Sequence, residues 1–116
     1  MALIRRGEIW VARLNPNQGA EVGKLRPVVV VQADALTQAG LATVVVVPLT
    51  SQHRPAAAAL RVLIPARDRL LCASYAMADQ PRALDRGRIG DGPLTTLTAE
   101  ELAALERALR GVLGLG

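Results

Sequence analysis

The hydrophobic positions of the chain fall into short runs separated by turn-forming residues. Residues 8–14, EIWVARL, mix β-branched and aromatic residues with polar ones and predict a first strand. Residues 28–32, VVVVQ, are apolar at successive positions, so this strand is expected to be covered on both faces. Pro27 suits its start, where no ladder donor is needed. Residues 34–40 hold at most a single helical turn. Residues 43–49, TVVVVPL, predict a third strand that ends near Pro48, followed over 50–59 by a polar and then alanine-rich connection. Residues 61–64 and 74–77 predict two more strands, and 83–89, ALDRGRI, a weaker edge strand or turn.

The period turns helical only near the C-terminus. Thr98 is a good N-cap with Glu101 three residues on, the pattern of a capping box. Glu100 and Glu101 also suit the positive end of a helix dipole. Leu102, Leu105, Leu109 and Val112 fall on one stripe that should pack on the sheet or on a partner, and Gly111 and Gly114 should stop the helix. The connections between strands are too short for the helical crossovers of a parallel sheet. With 116 residues, no repeat and no linker, one domain over 1–116 is expected: mainly β, an antiparallel sheet closed by a C-terminal helix.

Composition narrows this picture. The chain is 51% hydrophobic, which argues against extended disorder, and its only aromatic residues are Trp10 and Tyr75, so the core must be aliphatic. The single cysteine, Cys72, has no intramolecular partner, which suits a reducing compartment. Its LLCA setting favours a buried inert thiol over a catalytic one. No stretch has the order of a signal peptide and no apolar run reaches the length of a membrane span, so a cytoplasmic protein without membrane contact is expected. The net charge of +4 suits an anionic partner such as nucleic acid, although an arginine- and alanine-rich genome would produce the same balance.

The segment GAEVGKLRP, residues 19–27, superficially resembles a phosphate-binding loop. Gly19 and Gly23 are one residue too close for G-x-x-x-x-G-K, and Leu25 stands where a Ser or Thr would meet Mg²⁺. A strand follows rather than a helix, so no helix N-terminus is available for phosphate. The segment reads instead as a glycine-hinged basic loop carrying Lys24 and leading into Arg26, whose backbone is held by Pro27 and the buried strand. A forked guanidinium in that setting suits a phosphodiester, and a surface arginine capping a strand is the simpler alternative. Thr50, Ser51, Gln52 and His53 break the end of the third strand into four polar residues, which marks either a site edge or an ordinary Ser/Thr turn.

Familiar catalytic sets are missing. His53 is the only histidine, which excludes a two-histidine nuclease, and no histidines or cysteines are paired at metal-ligand spacing. Asp79, Asp85 and Asp91 are too scattered to suggest a two-metal site, and no G-x-S-x-G surrounds Ser51 or Ser74. An enzyme built from this chain is expected to need neither metal nor other cofactor.

Three blocks in order nonetheless resemble one family. RRGEIWVARLNPNQGAEVGKLRPVVVVQ is similar to the N-terminal signature of the MazF/PemK/Kid toxins, VVVVPLTSQ to their strand ending in Pro-x-Thr, and ADQPRALDRGRIG to their Asp-Gln block. The resemblance implies an SH3-like, strongly twisted antiparallel barrel with helices packed on it. It also implies a homodimeric, metal-independent endoribonuclease that cuts single-stranded mRNA to a 2′,3′-cyclic phosphate and a 5′-hydroxyl and is silenced by a cognate, MazE-like antitoxin. The family's arginine and threonine map onto Arg26 and Thr50, and its lid glutamate onto Glu21. Arg26 and Thr50 would stabilise charge on the phosphate, while Glu21 and His53 are candidates for the base. RNA contacts are expected from Lys24, Ser51, Gln52, His53 and Gln80. Arg13 replaces a frequent acidic residue, Leu14 a frequent aromatic, and His53 has no counterpart in the pattern, so the chemistry carries over better than the cleavage word. Two other functions are open: a toxin of this fold that poisons DNA gyrase, although the tail Leu113-Gly114-Leu115-Gly116 lacks the terminal Trp-Gly-Ile of that group, and a protein-binding barrel.

Overall fold

The computed structural model describes residues 3–14 and 24–116. Seven strands, β1 (Glu8–Arg13), β2 (Leu25–Val30), β3 (Thr43–Thr50), β4 (Arg61–Ile64), β5 (Ser74–Met77), β6 (Arg82–Asp85) and β7 (Ile89–Thr96), form one sheet, with helices α1 (Asp34–Gln38) and α2 (Ala99–Leu113). Every pairing between strands is antiparallel. The order β4-β5-β3-β2-β1-β7, with β6 also on β3, leaves a twisted sheet that is open rather than fully closed. Among the described residues no helix is long and apolar enough to cross a membrane.

β3 is the hinge of the architecture. Its first half pairs with β6 through Val46↔Arg82 and with β2 from Val46↔Val30 to Pro48↔Val28. Its last two residues pair with β5 instead, Leu49↔Ala76 and Thr50↔Tyr75. The β2–β3 ladder stops at Val28↔Pro48, with Pro27 next along β2; neither proline nitrogen has a proton to give, and the two strands part there. β2 nevertheless starts earlier than the valine run predicts, because β1 carries its ladder on through Ala12↔Arg26 and Arg13↔Leu25.

The sheet is covered on both sides, as the valine runs predict: Val28, Val29 and Val30 are fully buried. One face places Ile9, Val29, Val47 and Ala76 with Leu105 of α2, which is itself fully buried. The other gathers Trp10, Val28, Val30, Val44, Val46 and Leu84 into an aliphatic cluster around one indole. β7 was hidden in the sequence by two glycines, an aspartate and a proline. It joins β1 across two register shifts, bulges that bend the edge over Trp10. A Cβ at Gly92 would lie 2.5–2.8 Å from three indole ring atoms. Gly92→Ala should therefore displace the indole or the edge strand and lower stability by about 1–3 kcal/mol. Urea titration followed by Trp10 fluorescence measures this, and an unchanged midpoint would contradict the packing.

α2 begins as the capping box predicts. Thr98 Oγ1 accepts from Glu101 N at 3.1 Å, and Glu101 Oε1 accepts from Thr98 N at 2.9 Å. Glu101 also receives both terminal nitrogens of Arg67, which clamps the helix start to the β4–β5 connection. Gly111, expected to stop the helix, lies inside it; the backbone turns left-handed only at Gly114, φ 69°. Val112, one turn from this end, is exposed, so the buried stripe closes at Leu109.

Hydrogen bonds from the Arg67 guanidinium hold the Glu101 carboxyl below the ordinary glutamate range, with burial opposing and the Thr98 N–H assisting. The folded chain thus takes up this proton less readily than the unfolded one. The resulting stability is complete above the ordinary glutamate range and is lost as the pH falls through the lowered folded value. Glu101→Gln should cost roughly 1–2 kcal/mol at neutral pH and flatten that acid-side loss. Urea midpoints at about pH 7 and about pH 3 test both parts, and equal acid sensitivity in the two proteins would refute the assignment.

Candidate functional site

Where β2 and β3 part, the surface opens into a cleft of about 650 Å³. Two residues beyond the last pair, Val28↔Pro48, Arg26 of β2 and Thr50 of β3 both line the cleft. Arg26 is half-buried, its backbone fixed by the ladder to Ala12 and by Pro27. Its Nη1 reaches Leu49 O at 3.5 Å, a long contact and the only side-chain hydrogen bond of Arg26 among the described residues, and the side chain lines the cleft. Thr50 Oγ1 accepts from Gln52 N at 3.2 Å. The Ser/Thr turn and the site edge, alternatives in the sequence, are therefore one structure: the turn fills the acceptor side of the hydroxyl and leaves its proton free to donate.

The cleft also brings together Lys24, Ser51, Gln52 and Gln80 from the sequence-predicted set. His53 stands apart from them, its ring 5.2 Å from that of Tyr75 in a smaller adjoining hollow. Glu21, with Gly19 and Gly23, lies outside the described residues.

Three arginines that sequence reasoning missed, Arg54, Arg61 and Arg69, line the same cleft. Arg69 is paired with Asp91 at 2.8 Å but exposed on the rim, and Arg54 donates to Gln52 Oε1 at 3.0 Å. Arg61, at the start of β4, is mostly buried and meets Asp79 only at 3.6 Å. Among the described residues no carboxylate lines the cleft, so five cationic side chains set its potential. A hint existed in the alternation of Arg61 with the inward Val62 and Ile64, but the sequence did not say that β4 would pair beside Thr50.

Cys72 corrects an expectation. It was expected to be buried and inert, yet it is exposed on the cleft wall, beside Leu71, which is 84% exposed. The β4–β5 connection carries LLCA around the outside of the sheet, where Leu70 alone turns into the core. Local hydrophobicity ranks residues for burial but does not say which side of a loop meets the core.

Chemically, the cleft offers fixed and mobile hydrogen-bond donors, positive charge and an open side. That is a constellation for an extended polyanion with a reacting phosphoryl centre between Arg26 and Thr50.

Comparison with known proteins gives a consistent result. Residues 5–113 match the family model of the PemK-like, MazF-like toxin of type II toxin–antitoxin systems. In structure, the chain is similar to a chain of the MazE–MazF crystal structure from Deinococcus radiodurans, with TM-score 0.81, 23% identity and 100% of each chain covered. It is also similar to an endoribonuclease in complex with its cognate antitoxin from a mycobacterial species, with TM-score 0.76, 26% identity and 97% of each chain covered. A third similar structure is the Mycobacterium tuberculosis toxin MazF-mt6, with TM-score 0.77, 24% identity, and 94% of this chain and 98% of that chain covered.

Proposed function

Since this chain belongs to the PemK-like, MazF-like toxins of type II toxin–antitoxin systems, we propose that it is a metal-independent endoribonuclease that cuts single-stranded mRNA in the cytoplasm. The observation that carries this reading is the meeting of Arg26 and Thr50 in one cationic cleft. The 2′-hydroxyl oxygen attacks the adjacent phosphorus, the bond from phosphorus to the 5′-oxygen breaks, and the products are a 2′,3′-cyclic phosphate and a 5′-hydroxyl. The 2′-hydroxyl proton leaves to a base, and the departing 5′-oxygen gains a proton. Negative charge grows on the non-bridging oxygens during attack, and donors aimed there lower the barrier by about 3 kcal/mol each. The Arg26 fork and the Thr50 hydroxyl are such donors. The nucleophile belongs to ribose, so DNA is not a substrate, and single strands are required because the bases must be splayed to be read. Arginine stays charged at neutral pH, which suits it to charge stabilisation and not to proton abstraction. With His53 against Tyr75, Glu21 is the remaining candidate for the base.

Lys24, Ser51, Gln52 and Gln80 are proposed to hold the RNA backbone and bases along the cleft. A homodimer is proposed as the acting form. A cognate, MazE-like antitoxin would lay an acidic, extended segment into the same cleft and exclude RNA. That reading is supported by the absence of carboxylates from the cleft among the described residues and by the complexes with antitoxins among similar structures.

The decisive experiment incubates the folded protein with a long single-stranded RNA in EDTA and maps the ends by sequencing. Discrete fragments bearing 5′-hydroxyls are expected. Intact RNA after prolonged incubation with protein that melts as one cooperative unit would overturn the assignment.

A further inference from the structure

Beside the Arg26 cleft lies a second hollow of about 100 Å³, walled by His53, Ala58, Leu63 and Tyr75, with Arg54 and Arg61 shared between the two. The strand register explains its position. Thr50 pairs with Tyr75, and Tyr75 pairs with Leu63, so these three residues form one cross-strand row over β3, β5 and β4. Side chains directly opposite in such a row share a face, about one strand spacing of 4.8 Å apart. On the other side of Thr50, where β2 and β3 have parted, Arg26 lines the same cleft. An aromatic ring therefore sits one strand beyond the hydroxyl that faces the scissile phosphate.

Three features of this hollow are not explained by folding. Tyr75 and His53, the only tyrosine and histidine in the chain, put their rings together on the open face and not in the aliphatic core. Among the described residues no carboxylate lines the hollow, although two arginines do. Among the described residues Arg61 meets its partner Asp79 only at 3.6 Å, while the side chain also lines both cavities. Arginine offers donors only, so what Arg61 would take from either cavity is an acceptor.

The geometry points to a nucleotide subsite, a reading that rests on the proposed ribonuclease function. The base next to the scissile phosphate lies on the His53 and Tyr75 rings, and the phosphate flanking that base is held by Arg54 and Arg61. At 5.2 Å the rings are too close to sandwich a base, which needs about 7 Å, so the base lies across their outer faces. Stacking of this kind tolerates every base but favours the larger π-face, while the arginines fix register. His53 and Tyr75 are then specificity-determining residues, and Arg61 positions the strand.

Because the chain has one histidine and one tyrosine, the test is spectroscopically clean. The ring protons of His53 and Tyr75 are followed by NMR at constant pH during titration with each of the four nucleoside 5′-monophosphates, with inorganic phosphate as control. Upfield ring-current shifts of both rings are expected with at least one nucleotide and not with phosphate, and Tyr75→Ala should weaken that nucleotide about tenfold. No shift with any nucleotide, or equal shifts with phosphate alone, overturns the subsite. In parallel, cut sites of His53→Ala and Tyr75→Leu are mapped on a long RNA. A flattened preference at one position beside the cut supports the subsite, and an unchanged cleavage word refutes it while leaving the ribonuclease function intact. If the wild type does not cleave at all, the ribonuclease function fails, and the ring shifts still decide whether nucleotides bind here.

Discussion

Arg26→Ala should lower the rate of RNA cleavage by about 10²–10³-fold with little change in stability. The rate effect follows from position: in the proposed mechanism the guanidinium meets the developing phosphate charge, and its backbone is held by β1 and Pro27, so its donors need little reorganisation. The small stability effect follows from its contacts, since the side chain is half-buried and its one hydrogen bond among the described residues, to Leu49 O, is 3.5 Å long. Arg26→Lys separates charge from geometry. It keeps the cation but loses the planar fork, and should recover only a minor part of the rate. Single-turnover rates and thermal midpoints on the same preparations check the claim; wild-type cleavage by Arg26→Ala would remove the central residue of the proposed mechanism.

Thr50→Ala should reduce cleavage by about 10–10²-fold, and Thr50→Ser should restore most of it. The hydroxyl accepts from Gln52 N, which leaves its proton free to donate, and Thr50 lines the cleft. Serine preserves both roles. Alanine also leaves Gln52 N without its acceptor, but this group is exposed and water can replace the partner, so the fold should survive. The discriminating measurement is kcat on a cleavable RNA beside Kd for a 2′-deoxy analogue. A loss confined to Kd would make Thr50 a binding residue, and alanine equal to wild type in both would exclude it from the site.

Much of the architecture was legible because it depends on local rules. The helix start at Thr98 was readable because a capping box is made by four consecutive residues. The strands at 43–49 and 61–64 were readable from β-branched residues bounded by turn residues, and the one at 74–77 is a short run around the aromatic Tyr75. β7 was not, because its Gly, Asp and Pro content lowers every local strand signal; its pairing comes from β1 and from the fit of Gly92 against Trp10. Cys72 and Gly111 failed for a similar reason. An apolar neighbourhood does not tell which way a loop faces, and a glycine ends a helix only where the chain can use a left-handed turn, which here is Gly114.

Residue types and their order already gave the chemical inventory: a forked guanidinium before Pro27, a hydroxyl two residues after Pro48, an excess of arginine, and blocks ordered as in the MazF/PemK toxins. Folding alone brought Pro27 and Pro48 to the end of the β2–β3 ladder, where the strands part, set Arg26 and Thr50 in one cleft, and added Arg54, Arg61 and Arg69 to it. It also decided that His53 leaves the group for Tyr75. The physical reason is that residue type and local spacing act over a few residues, whereas strand register links positions tens of residues apart, and no local preference encodes which strand will lie beside which.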